Sequence, residues 1–248
     1  MLRTSPIALL LSLLALATVA PTAHAQIGGP TPPTPIPWPL GCPIPSVVAN
    51  DSAGILEYTP CHPIVADANG QLVFIGFCMQ VLIFLPPGGV GVLSWNQTDN
   101  SGQQVPPGVY SVNGLLYDVG ATDCALMPLG APFAGARRAV HLCAPAHPDA
   151  FYVLAASGSI STGIPLGCGR TFPLDLDTLL LQSIAPSAVF TDFIGQLDAF
   201  GTTSAPAMDV PAQPSLVGVS FHLAFMTLDP TAPCGVGAIC DPVLTTIR

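Results

Sequence analysis

The chain reads as an all-β protein built from two β-sandwich domains, and three observations carry that expectation. Short apolar runs recur at close intervals, separated by Gly, Pro, Asn and Asp, which is the punctuation of a sandwich. No window holds a convincing helical period of useful length. Eight cysteines all lie beyond residue 41 of a chain that opens with an export signal, as in disulfide-bonded extracellular domains.

In chain order, the first element is a secretory signal peptide over residues 1–25. Arg3 supplies the positive end and residues 7–20 form an almost unbroken apolar stretch. Pro21 breaks it before Ala23-His24-Ala25, the small-x-small pattern of a cleavage site. Cleavage is expected before Gln26, where no cysteine offers lipoprotein processing. A retained anchor is the weaker reading, because an apolar run of about 14 residues falls short of the ~20 needed to span a bilayer. Residues 26–45 follow as a proline-rich linker. Residues 28–40 hold too much proline for a helix or a central strand and predict an extended, semi-rigid PPII spacer. The rival is a proline-rich ligand for an aromatic groove, which is mainly an intracellular device.

The first domain is expected over residues 46–147, with strands in residues 54–58, 72–85, 91–95, 109–119 and 139–142. Residues 72–85 are too short to span a membrane. Gly76 and Gln80 interrupt them and Pro86-Pro87-Gly88-Gly89 closes them, so they read as two buried strands. The second domain is expected over residues 148–248. Residues 151–157 form a strand and 158–169 a glycine-rich connection. The alternation Leu174-Asp175-Leu176-Asp177 places both aspartates on one strand face, although residues 177–183 also fit a short helical turn. Residues 193–201 lead into 207–211, 217–228 make a long apolar strand, 234–240 a stapled hairpin and 243–247 the closing strand. The last residues, Thr245-Thr246-Ile247-Arg248, carry no second anchor. Two domains of roughly 100 residues each suit the length left after cleavage.

All eight cysteines (Cys42, Cys61, Cys78, Cys124, Cys143, Cys168, Cys234 and Cys240) are disulfide candidates, and spacing alone does not fix their pairing. Cys234 with Cys240, and Cys124 with Cys143, are near enough in sequence to pair. A boundary near residue 148 leaves five cysteines before it and three after. Odd counts require either a bridge between the halves or two free thiols, and the bridge is favoured.

Charge excludes whole classes of partner. The chain has no lysine, only Glu57 among its glutamates, and a net charge of −9 that loss of Arg3 with the signal would deepen. Nucleic acid and anionic lipid both need basic surface, so no nucleic-acid partner, and no membrane partner after signal removal, is expected. Low total charge fits a packed extracellular domain better than a disordered chain.

The most informative local pattern runs from Trp95 to Tyr110. Trp95 ends an apolar strand, and Asp99-Asn100-Ser101-Gly102 has tight-turn chemistry. Pro106-Pro107-Gly108 fits a type II turn, after which Val109-Tyr110-Ser111-Val112 resumes alternation. The string W-N-x-x-D-x-S-G-x-x-V-P-P-G-V-Y resembles the C-terminal Ig-like module of the flagellar hook-capping protein family, modules of a kind that recur at the ends of exported bacterial proteins. Trp95, Asn96, Asp99, Gly102, Val105, Pro107, Gly108 and Tyr110 carry the resemblance, and Gln97 stands where that family usually has Gly. It implies that the first domain is Ig-like, with Trp95 and Tyr110 in the core and Tyr110 bonded back to the chain as a tyrosine corner. Residues 164–170, 195–201, 216–218 and 228–230 together resemble a β domain at the ends of secreted planctomycete-type bacterial proteins, which implies no catalytic residue.

Enzyme signatures are mostly excluded. A single glutamate rules out a Glu–Glu glycosidase pair, absence of lysine rules out Schiff-base and P-loop chemistry, and neither H-E-x-x-H nor G-x-S-x-G occurs. No catalytic residue and no cofactor is expected. His141, Cys143 and His147, with Cys61 and His62, are the best transition-metal set, but a bridged cysteine is no thiolate ligand. Calcium is the better-motivated ion, through Asp175 with Asp177 or through Asp99, Asn100 and Ser101, although such aspartates usually cap backbone. Trp38, Tyr58, Trp95 and Tyr110 form a weak candidate for a carbohydrate platform. The reading that results is a secreted, non-enzymatic structural or adhesive protein of the bacterial cell surface or extracellular matrix, whose partner is an extracellular protein or glycan. The alternative is a carbohydrate- or ligand-binding module serving secreted hydrolases, and a small hydrolase with a scattered triad ranks third.

Overall fold

The computed structural model of the chain describes residues 34–50 and 52–248, and Thr34–Arg248 form one compact unit. The expected signal peptide and residues 26–33 of the expected linker lie outside the described residues. The first half holds β1 (Ile36–Trp38), β2 (Ile44–Ala49), β3 (Leu56–Tyr58), β4 (Ile64–Asp67), β5 (Leu72–Ile75), β6 (Ile83–Leu85), β7 (Val90–Trp95), β8 (Gly108–Val112), β9 (Leu115–Val119), β10 (Ala125–Pro128) and β11 (Arg137–Cys143). The second half holds β12 (Phe151–Ser157), β13 (Ile164–Gly167), β14 (Arg170–Phe172), helix α1 (Thr178–Ile184), β15 (Phe190–Thr191), β16 (Ile194–Gln196), β17 (Thr202–Thr203), β18 (Ala207–Asp209), β19 (Ser220–Leu228), β20 (Val236–Ile239) and β21 (Val243–Thr246). The fold is all-β, and α1 is a single short α-helix among the described residues.

Order begins inside the expected linker, which corrects its extent. β1 pairs in parallel with β9, and β2 pairs antiparallel with β7. The proline content does not prevent this. Proline is tolerated at a sheet edge, where β1 lies in the order β1-β9-β8-β4-β5, and buried Trp38, Cys42 and Ile44 supply the apolar anchors.

The core is a stack whose layers are set by side-chain alternation. Trp38, Trp95, Tyr110 and Tyr117 fill the first layer, which ends against Ala125 and Cys143. On the other face of β10 and β11, Leu126, Val140 and Leu142 belong to a second layer shared with Tyr152, Leu154, Leu223 and Phe225. The opposite face of β12 and β19 then offers Ala155 and Ala224 to a third layer with Phe172, Leu174 and Leu180. Thus β10–β11 is one wall with a core on each side. β11 pairs with β17 and β18 across the expected boundary at 147/148, so that position does not separate two cores. The physical reason is that residues 140–144 are buried on both strand faces, as in a fully covered strand.

Four disulfides pair all eight cysteines: Cys42–Cys143, Cys61–Cys78, Cys124–Cys240 and Cys168–Cys234. One of them, Cys124–Cys240, crosses residue 148, the outcome favoured over two free thiols. The two pairings expected from nearness in sequence are not formed. β20 separates Cys234 from Cys240, and six residues of mostly extended chain at ~3.3 Å each exceed the ~6 Å Cα reach of a disulfide. Ala125 lies opposite Cys143, which turns Cys124 to the other face, toward Cys240. Four bridges are the hallmark of an oxidising compartment.

Two further expectations change. Residues 72–85 do form two strands, but apart from Leu85 they are not buried: β5 is the edge of its sheet and, among the described residues, β6 pairs only with β3. Leu174 to Asp177 is not a strand. Asp177 instead caps α1 by accepting a hydrogen bond from the Leu180 amide at 2.7 Å, so the helical-turn alternative is the one observed.

Candidate functional site

The Trp95–Tyr110 segment is folding machinery. The Trp95 and Tyr110 rings lie 5.4 Å apart in the core, and the Tyr110 hydroxyl donates to the Pro106 carbonyl at 2.8 Å, making the tyrosine corner. Gly108 opens β8 with φ 158°, far from the ~80° a type II turn needs at its third position, so the expected turn type is corrected. Asp99 Oδ1 accepts from the Ser101 amide at 2.8 Å, the Ser101 hydroxyl at 2.6 Å and the Gln103 amide at 3.0 Å. These donors hold its carboxyl below the usual range, the Ser101 hydroxyl foremost. Asn100 accepts from the Ile75 amide at 2.9 Å and donates its own amide to Val73 at 3.2 Å, covering the open edge of β5.

Gln97 is the residue that sequence reasoning undervalued. It is buried with φ 57°, a left-handed conformation that normally favours glycine. Its side-chain amide donates to the carbonyls of Pro39 at 2.8 Å and Cys42 at 2.6 Å, and its side-chain oxygen accepts from the Gly41 amide at 2.7 Å. A glycine would relieve the backbone but remove three of this loop's hydrogen bonds, so the side chain explains the residue. Arg138 and Arg170 have a similar role that charge counting hides. Arg138 bonds the carbonyls of Ala131 and Gly88 and lies 5.6 Å from the Phe133 ring, and Arg170 bonds the carbonyls of Val236 and Gly237.

The ion candidates are engaged by protein donors. Both Asp175 oxygens are occupied: Oδ2 by the hydroxyls of Ser159 and Ser161 and the Ser161 amide, Oδ1 by the Thr162 amide and hydroxyl and the Gly163 amide. The hydroxyls of Ser159 and Ser161 and then the two amides hold its carboxyl far below the ordinary value. Asp177 accepts from Ser157, Gly158 and Leu180. Asp175 and Asp177 therefore organise a turn and a helix cap, where a shared strand face was expected. Cys143 and Cys61 are in disulfides, and His147 lies 3.7 Å from Asp229. Among the described residues, no group of three or more His, Cys, Asp or Glu is placed to hold a metal.

His141 is buried against Trp38, the rings 6.5 Å apart and nearly parallel at 7°. Its Nδ1 lies 3.0 Å from the Ser204 hydroxyl, and its Nε2 is buried without a hydrogen-bond partner. Burial pushes its pKa down to about 4, against a weaker opposing pull from Asp198. It is neutral at pH 7. Trp38, Trp95 and Tyr110 are core residues, so the structure does not assemble the four aromatics into an exposed platform.

Two apolar features remain, and neither is visible as a motif. A groove of about 400 Å³ lies between α1, β15, β18 and β19, walled by Leu179, Phe190, Met208, Leu216, Phe221 and Ile247. Its lining holds Gln182 and Ser187 and no charged side chain. The second feature is residues 55–84, which carry nine of the twenty-four large apolar side chains exposed among the described residues. Ile55 and Phe77 are each 69% exposed, Phe84 56% and Leu82 53%. The Cys61–Cys78 bridge staples this surface, with backbone bonds from His62 to Phe77 at 3.1 Å and from Met79 to Pro60 at 2.8 Å. Nine such side chains within thirty residues of sequence are more than the scattered single apolar residues of an ordinary surface.

No family model matches the chain, and no curated protein matches it. Among solved structures, the crystal structure of red sea bream transglutaminase is similar at 10% identity and a TM-score of 0.24. The match covers 91% of this chain and 30% of that one. A similarity at that level assigns neither fold nor activity.

Proposed function

We propose that this is a secreted, non-enzymatic structural or adhesive protein of the bacterial cell surface or extracellular matrix, acting through protein contact at residues 55–84. The observation that carries the reading is the stapled apolar surface: exposed Phe77, Leu82 and Phe84 on a backbone held by a disulfide. The four disulfides and the export signal read in residues 1–25 support the compartment. An acidic, lysine-free chain supports a protein partner over nucleic acid or anionic lipid. The resemblances to the hook-capping Ig-like module and to planctomycete-type terminal domains are consistent with a role in an exported assembly.

The test is retention. Oxidised wild-type protein is expected to be held by the cell-wall and matrix fraction of the producing cells, and a Phe77→Glu/Phe84→Glu variant of unchanged melting temperature is expected to wash through. Equal retention of both, or turnover in a broad hydrolase screen, would overturn the reading. The groove favours a second reading, a ligand-binding module, and its uncharged lining suits a neutral apolar ligand better than a glycan.

A further inference from the structure

We infer that the apolar surface of residues 55–84 is a self-association interface, covered by a second copy of this chain. The inference rests on the reading of this surface as a site of protein contact and names the partner. In a two-fold dimer the same patch meets itself, so the patch must be complementary to its own chemistry. Charge favours this here. The chain carries −9 overall and no lysine, so most contacts between two copies would oppose carboxylates with few arginines to offset them. Residues 55–84 contain only Glu57 and Asp67 as acids and no arginine, and apolar side chains are self-complementary.

Area points the same way. Nine side chains at roughly 100 Å² of exposed surface each present on the order of 900 Å², against about 800 Å² per partner in a standard interface. The strand edges add a docking mode. Asn100 covers the outer edge of β5, whereas among the described residues β3 and β6 pair only with each other and their outer edges have no strand neighbour. A second β3–β6 ribbon supplies such a neighbour by continuing the two-stranded sheet. The bridge and the backbone bonds around Phe77 hold the surface in place before contact, which lowers the ordering cost of association.

The experiment is sedimentation equilibrium of the oxidised chain from about 1 to about 100 µM, a range that brackets micromolar affinity. Wild type is expected to reach a dimer mass. Phe77→Glu/Phe84→Glu is expected to weaken association at least about 100-fold with its melting curve unchanged. A control, Leu176→Glu/Phe200→Glu, alters equally exposed apolar residues elsewhere (68% and 79%) and is expected to dimerise as wild type does. A wild type that stays monomeric at the highest concentration overturns the inference, as does a face variant that dimerises normally. Monomeric wild type that is retained by the wall fraction, with retention lost in the face variant, overturns self-association and leaves the proposed function standing. Monomeric wild type that binds phosphatidylcholine vesicles also overturns it, in favour of a lipid surface.

Discussion

Acidification tests the burial of His141 directly. In the folded chain its pKa lies at about 4, whereas an unfolded histidine titrates near 6.5. The unfolded state therefore binds the proton first as pH falls. Stability from keeping this ring neutral is complete above about pH 6.5 and is lost progressively toward pH 4. The loss works out at about 2 kcal/mol at pH 5 and about 3 kcal/mol at pH 4. The depressed carboxylates act in the same direction at lower pH, because Asp175 and Asp99 release their donors only when protonated, which leaves the interval from about pH 6.5 to 4.5 chiefly to His141. Denaturant unfolding at several pH values reads the slope. His141→Phe keeps a ring against Trp38 and removes the titrating group, so its stability should vary far less over that interval. A variant as acid-sensitive as wild type would refute the assignment.

Two other predictions concern the folding devices. Gln97→Ala removes three hydrogen bonds from the loop at residues 39–42 while leaving the left-handed backbone as it is, so chemical denaturation should show a loss of about 2–4 kcal/mol. Cys124→Ser/Cys240→Ser opens a link between residues 116 apart in sequence, and calorimetry should show a loss of roughly 3–5 kcal/mol with the other three bridges intact by peptide mapping.

Much of the local structure was legible because its chemistry is short-range. Trp95, Asp99, Gly102 and Tyr110 specify a strand end, a turn and a corner within sixteen residues, and each forms largely as its side-chain chemistry implies. The continuous apolar run at residues 151–157 reads as a strand, and its bounds hold in the structure. The errors share a cause, which is the choice between faces. Alternation at Leu174 to Asp177 looked like a strand face because two-residue periodicity does not reveal that the Asp177 carboxylate would find the amide of Leu180. Residues 72–85 looked buried because they are apolar, yet apolar composition does not say whether another layer arrives to cover them. The exposed apolar stretch at residues 55–84 was invisible for that reason. The groove was invisible because its walls come from separate segments that meet only in the folded chain.

By itself the sequence determined the all-β class, the disulfide-rich character and the acidic composition, and favoured a bridge across the middle of the chain over two free thiols. Parity, charge and turn chemistry are properties of composition and of residues a few positions apart, so they survive without coordinates. Only the tertiary structure decided which cysteines meet, that β10–β11 carries a core on each face, and that Gln97 is held by its side chain in a left-handed turn. Only there, too, does the stapled surface of residues 55–84 emerge as exposed. Those outcomes depend on which strand face meets which neighbour across tens of residues. Burial energy settles that choice collectively, and no local pattern encodes it.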